Sequence, residues 1–177
     1  MKNSSLTKAI SYKDFKKEVL DDYKTILISR EASLLGRKEV LSGKAKFGIF
    51  GDGKELPQVA MAKVFEKGDF RSGYYRDQTF MFSIDELTVQ QFFAGLYANT
   101  NFDEEPMSGG RQMGSHFSSV FVDENGKFKD LPNQYNISSD ISPTSGQMPR
   151  LLGLAMASKL FRTCLLYTSP SPRDPWK

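Results

Sequence analysis

The stretch Ser142–Phe161, S-P-T-S-G-Q-M-P-R-L-L-G-L-A-M-A-S-K-L-F, constrains the chain most strongly. Small residues from Ser142 to Gly146 let a backbone approach a neighbour closely, and Pro149 suits the first turn of a helix, where its missing N–H is no loss. A loop therefore feeds a helix start. Beyond it Leu151, Leu154, Ala155 and Leu160 lie near one face, while Gly153, Ala155, Ala157 and Ser158 keep the surface thin. This spacing predicts a helix over 148–162 buried against a sheet or another helix. Free N–H groups and the positive dipole end at Gly146–Met148 can hold an anion or a polar cofactor edge; an ordinary αβ connection is the plainer reading.

A helix of that kind needs a core, and the composition supplies one. Hydrophobic residues make up 39% and charged residues 25% of 177, with a net charge of +3. Such values fit a globular domain, and no apolar run reaches the length of a membrane span. Lys13, Lys16 and Lys17 belong to a solvated helix face without the interleaved aromatics of a single-strand groove, so neither nucleic acid nor membrane is an expected partner. The first ten residues lack the apolar segment of a signal peptide, and a cytoplasmic protein is expected.

Cys164–Asp174 reads C-L-L-Y-T-S-P-S-P-R-D and breaks the helical pattern. Its back-translation resembles a transposase adapter of short-read library preparation. The expected organisation is an N-terminal helical region over 1–46, a partial ligand-binding domain over 47–162 and a non-native tail over 163–177. No disulfide staple is expected, because Cys164 is the only cysteine.

In chain order, Ser11 with Asp14 predicts a helix cap. Tyr12, Phe15, Val19, Tyr23, Ile26 and Leu27 then repeat at helical spacing, and the pattern continues to Leu41 with a bend expected near 29–36. Gly48, Gly51 and Gly53 mark a turn, and Pro57 opens a short helix stopped by Gly68. The run 70–82 reads as a buried strand end leading into a loop with Tyr74, Tyr75 and Arg76. Ser83 and Glu86 form a capping box for a helix to Tyr97. An Arg beside two Tyr can clamp a phosphate and pack a ring, or form a surface salt bridge; Arg71 reads as such a surface pair.

The long polar stretch 98–119 is a functional or disordered loop by its length. His116 is the only histidine, hence the only side chain whose ordinary pKa suits proton transfer near neutrality; the alternative is a hydrogen-bonded loop anchor. Val120–Val122, Asn125-Gly126 and Phe128 predict a small hairpin.

Taken in order, Tyr75-Arg76, then Gly110-Arg111-Gln112-Met113-Gly114-Ser115-His116, then Ser142-Pro143-Thr144-Ser145-Gly146-Gln147-Met148-Pro149, resemble the alpha-type chain of the first, decarboxylating component of 2-oxo acid dehydrogenase complexes. The G-R-Q-M form and the Ser-Pro before Gln-x-Pro resemble the branched-chain type. The resemblance implies an α/β fold: the N-terminal part of a thiamine diphosphate-binding fold, a parallel sheet flanked by helices, preceded by a long amphipathic helix. It implies that Tyr74, Tyr75 and Arg76 hold thiamine diphosphate, Arg76 through the phosphates, that Ser142 and Thr144 meet the aminopyrimidine ring, and that His116 is the catalytic candidate. It implies Mg²⁺ held by residues beyond Arg162, a 2-oxo acid substrate, a beta-type chain or fused domain completing the site, and a lipoyl-bearing acyltransferase taking the acyl unit.

Two positions depart from the family pattern. Gln78 stands where a His is common, and Gly146 where branched-chain members carry a Thr that helps ligate potassium. Gly51-Asp52-Gly53 matches the first half of the family's metal signature, but no asparagine lies between Asn3 and Asn99, so it is read as a turn. A non-catalytic α/β binding or structural module is the alternative, in which Arg76 forms only an ion pair and the glycines only turns.

Overall fold

The computed structural model describes residues 10–163. The stretch read as foreign from Cys164 lies outside the described residues. Helix α1, Tyr12–Leu41, starts where expected: the Ser11 hydroxyl accepts the Asp14 N–H at 3.2 Å and donates to the Asp14 carboxylate at 2.7 Å. It runs through 29–36 as one unbroken element, where a bend was expected.

The expected apolar stripe is not the buried one. Tyr12, at 80% exposure, and Phe15, Val19, Tyr23 and Leu27 face outward, while the buried positions are Ser29, Ala32, Ser33, Gly36 and Glu39. The helical period is carried there by small residues, because the neighbours come close. A Cβ on Gly36 would sit 2.4 Å from the Phe50 ring. Ser29 Oγ and Thr79 Oγ1 lie 2.6 Å apart, and Gln78 Nε2 donates to Ser33 Oγ at 2.6 Å. Each hydroxyl buried in this contact finds a partner, which removes the cost of desolvating it. Gln78, fully buried, also accepts the Gly51 N–H through Oε1 at 3.2 Å; the position that departs from the family serves the packing of α1.

After α1 the turn at 51–53 is present. Gly53 has φ +88°, and Asp52 accepts from Arg37 at 2.6 Å. Helix α2, Glu55–Ala62, begins two residues before Pro57. Strand β1 covers Phe70–Ser72 and leads into the expected loop with Tyr74, Tyr75 and Arg76, but the end of that run forms helix α3, Gln78–Ser83. Its Thr and Phe residues have strand propensity, but Thr79, Phe80 and Met81 are buried in contact with α1 and α2, and packing overrides propensity. The expected Ser83–Glu86 capping box is therefore wrong: Ser83 ends α3 and donates to the Thr79 carbonyl at 2.7 Å. Helix α4, Val89–Leu96, is capped instead by Thr88 and Gln91, with bonds of 3.1 and 2.9 Å in both directions.

Strand β2, Asn136–Ser138, pairs in parallel with β1, in the register Phe70 with Asn136, Arg71 with Ile137 and Ser72 with Ser138. The hairpin expected before it is a single antiparallel bridge, Val122 with Phe128, around Gly126 at φ +73°. Phe80 and Ile137, both 0% exposed, anchor a core with Phe50, Phe92, Leu96 and Phe117. Helix α5, Gln147–Thr163, packs on β1 but leaves Leu151, Leu152, Met156 and Leu160 exposed, against the expectation of a buried helix. Two described strands offer too little sheet to cover it. Its start is also less open than expected, because the N–H groups of Gly146 and Met148 donate to Pro143 and Ser145 carbonyls at 3.0 Å. The architecture is an incomplete α/β domain with a helical N-terminal part.

Candidate functional site

Three loops converge at one end of the β1–β2 pair, and all six candidate residues lie on them. The loop after β1 carries Tyr74, Tyr75 and Arg76; the two tyrosine rings are 4.1 Å apart and their phenolic oxygens 2.8 Å. His116, from the long loop, stacks on Tyr75 at 5.9 Å with an 11° angle between the planes. The loop after β2 supplies Ser142, whose Oγ is 2.9 Å from His116 Nε2, and Thr144, hydrogen-bonded to Tyr74. The Arg76 guanidinium sits 5.7 Å from the Tyr75 ring.

The hydrogen bonds choose the histidine tautomer. His116 Nδ1 faces the Gly114 carbonyl at 3.3 Å, an acceptor only, so Nδ1 carries the proton. Nε2 is then left to accept from the Ser142 hydroxyl. In the tyrosine pair, bonds from Tyr75 and Thr144 draw the Tyr74 phenol below its ordinary pKa, and the bond to Tyr74 pushes Tyr75 above it. The four larger side chains are half-buried, and Ser142 and Thr144 are exposed, so the cluster is accessible from solvent.

Sequence reasoning missed the groups behind this surface. Arg71, read as a surface residue, is only 6% exposed. It donates to Asp77, lies 4.9 Å from the Phe80 ring, and has Nη1 4.0 Å from Asp140 Oδ1. The Asp140 side chain is fully buried. Burial pushes its carboxyl from the ordinary 3.8 up to about 7, with Arg71 pulling down and Asp77 pushing up. One guanidinium faces two carboxyl groups, hydrogen-bonded to Asp77 and 4.0 Å from Asp140. A charged residue inside a strand as short as F-R-S was the signal available in the sequence.

Glu105 was also missed, and it shapes the His116 loop. Its carboxylate accepts the N–H groups of Met107, Ser108 and Gly110 at 3.1, 2.9 and 2.9 Å, and the Ser108 hydroxyl at 2.7 Å. Burial raises its pKa, but these bonds outweigh it and the net shift is downward. Gly110, at φ +69°, lies so close to Ala98 that a Cβ would fall 2.5 Å from the Ala98 carbonyl carbon. The close backbone approach at this glycine is thus a contact within the loop.

On the other side of Arg76, a cleft of about 350 Å³ opens between α1 and the 48–52 turn, lined by Arg37, Gly48, Phe50, Asp52 and Arg76. Arg76 Nε is buried and has no hydrogen-bond partner among the described residues. Asp52 is engaged by Arg37. Among the described residues no group of three or more His, Cys, Asp or Glu is placed to hold a metal ion, and no helix is long and apolar enough to cross a membrane.

The parallel pairing of β1 with β2 thus brings a Tyr-Arg loop, a Gly-rich His loop and a Ser-Pro-Thr loop to one end of a small α/β unit. The chain belongs to the dehydrogenase E1 component family, whose sequence model matches residues 23–163. It is 30% identical over 148 residues to the 2-oxoisovalerate dehydrogenase subunit alpha of Bacillus subtilis (strain 168), across 81% of this chain and 38% of that one. The chain thus spans well under half the length of that relative.

Proposed function

We propose that this chain is part of the alpha-type subunit of a thiamine diphosphate-dependent 2-oxo acid dehydrogenase that oxidatively decarboxylates a branched-chain-type 2-oxo acid. The observation that carries the reading is the meeting of Tyr74, Tyr75, Arg76, His116, Ser142 and Thr144, drawn from three loops, around one accessible surface. The cofactor's chemistry suits what is there. A buried guanidinium nitrogen without a partner, beside a cleft with a second guanidinium, suits a diphosphate. Exposed hydroxyls beside a stacked Tyr–His pair suit the polar edge of a planar ring.

Thiamine diphosphate, when bound, supplies the electron sink for loss of the carboxylate. The protein's part is binding and orientation. Arg76 neutralises phosphate oxygens, and the Tyr75 ring shields that contact from water. Ser142 and Thr144 direct the aminopyrimidine. His116, protonated at Nδ1, keeps Nε2 as a proton acceptor at the mouth of the site. Mg²⁺ ligands and the beta-type partner are assigned to parts of the enzyme outside the matched segment, and a lipoyl-bearing acyltransferase receives the acyl unit.

Titration of thiamine diphosphate with Mg²⁺ into the assembled enzyme tests this. A charge-assisted contact is worth roughly 1.5 to 3 kcal/mol, so Arg76→Ala weakens binding about 10- to 100-fold, while Lys16→Ala on the exposed face of α1 leaves it unchanged. Arg71→Ala is no control, because it removes the buried cation that Asp77 and Asp140 face. Equal affinities for wild type and Arg76→Ala would remove the assignment.

A further inference from the structure

Arg71 stands at the centre of β1, and its contacts run to both loops that flank the sheet pair. On one side it donates to Asp77 Oδ2, and the same oxygen accepts the Tyr74 N–H at 2.9 Å, closing the loop that carries Tyr74, Tyr75 and Arg76. On the other side Nη1 is 4.0 Å from Asp140. That residue begins the loop of Ser142 and Thr144 and is pinned by its N–H to the Phe117 carbonyl at 3.3 Å. The guanidinium also lies close against the first loop: a Cβ on Gly73 would fall 1.8 Å from Arg71 Cζ, so a larger residue there would push the guanidinium aside.

An ion cluster this deep is a poor source of stability. Desolvating charges costs several kcal/mol each, and apolar replacements of similar volume often match or exceed a buried pair. The cluster also leaves Arg71 Nε and Nη1 and both Asp140 oxygens without hydrogen-bond partners among the described residues. What it does provide is geometry. Ser72 donating to the Gln147 carbonyl at 3.0 Å ties the two segments at their edges, Arg150 donating to the Ser139 carbonyl closes the second segment on itself, and Arg71 links the two at their roots.

We propose that Arg71 is a positioning residue, a single forked guanidinium that sets the Tyr74–Arg76 loop, through Asp77, against the Ser142–Thr144 loop, through Asp140. The assignment rests on the reading above in that these loops are the ones that face the cofactor. The coupling between them is a property of the chain itself.

Amide hydrogen exchange of the full-length subunit, followed by mass spectrometry, measures that coupling. The variants are Asp77→Asn, Asp140→Asn and Arg71→Lys, with Phe92→Leu as a core change of comparable effect on Tm. Asp77→Asn is expected to speed exchange across 141–146 as well as 74–76, and Asp140→Asn to speed it at 74–76 as well as 141–146, by about tenfold or more. Arg71→Lys keeps the charge but not the fork and speeds both loops; Phe92→Leu changes neither selectively. Loops that respond only to their own carboxylate, or an Arg71→Lys chain that exchanges like wild type, would overturn the proposal. The two aspartate variants are isosteric, so they report even if Arg71→Lys fails to fold. Thiamine diphosphate titrations of the same variants separate the two readings: a wild type that binds no cofactor removes the site assignment, while cross-loop exchange still decides the brace.

Discussion

Asp140→Asn should change how the stability of this chain depends on pH, and the size of the effect follows from its surroundings. The carboxyl titrates near its ordinary 3.8 when unfolded and at about 7 in the folded chain. Between those values the folded state holds a proton that the unfolded state has released, so stability falls as pH rises from about 4 to about 7, and the full cost persists above. Roughly three pH units at 1.36 kcal/mol each amount to about 4 kcal/mol, a large share of a typical stability of about 5 to 15 kcal/mol. Asparagine has nearly the same shape and does not titrate. Its amide adds a donor beside Arg71, which shifts the variant by a constant amount at every pH. The informative quantity is therefore the difference in unfolding free energy, variant minus wild type. Urea denaturation followed by circular dichroism at constant ionic strength, from pH 4 to pH 8, should show it growing by about 4 kcal/mol in favour of asparagine. Other carboxylates titrate in this range but cancel in the subtraction. A difference that stays flat across the window would refute the argument that burial governs this carboxyl.

The remaining predictions concern packing and loop geometry. Phe80→Ala removes a fully buried ring from the core and should cost about 3 to 5 kcal/mol in denaturant unfolding. Gly51→Ala places a Cβ 2.1 Å from the Arg76 carbonyl oxygen; it should lower Tm and weaken thiamine diphosphate binding together, because the backbone beside Arg76 has to move. Glu105→Gln should cost about 1 to 3 kcal/mol at pH 7, because a neutral amide oxygen replaces the carboxylate that holds three N–H groups. Its folded pKa lies below the ordinary 4.5, so this contribution is present above about 4.5 and fades as pH falls through the folded value, which an acid titration of wild type and variant would show. Thr88→Ala should cost about 1 kcal/mol through loss of the α4 cap, while Ser83→Ala leaves that helix intact.

The six candidate residues could be named from the sequence because each sits in a short segment whose pattern is local: a Tyr-Arg pair, a lone His in a glycine loop, small residues before a helix. What joins them could not. Asp77 and Asp140 meet at Arg71 only because β1 pairs with β2, and no local pattern encodes that pairing. The face of α1 was misread for a related reason. Apolar periodicity marks the buried side of a helix when the partner is a spacious core, but here the Thr79 and Gln78 side chains of α3 and the Phe50 ring come close, and Ser29, Ala32, Ser33 and Gly36 are buried because they are small. Helix α3 was hidden by Thr and Phe residues that favour strands in isolation, and the helix expected up to Tyr97 starts later than Ser83–Glu86 suggested, at the Thr88–Gln91 cap.

The parallel pairing of β1 with β2 also imposes an order of events during synthesis. Phe70 and its partner Asn136 are 66 positions apart, from 136 minus 70. At about 5 to 20 residues per second, several seconds separate the emergence of the two strands from the ribosome. During that interval α1, α2 and α3 can already associate, and Arg71 has Asp77 six residues away but no Asp140. The nascent chain thus carries its cation with a local counterion from the start. The second carboxylate arrives last, joining a pair that is already neutral, and burial then raises its affinity for a proton.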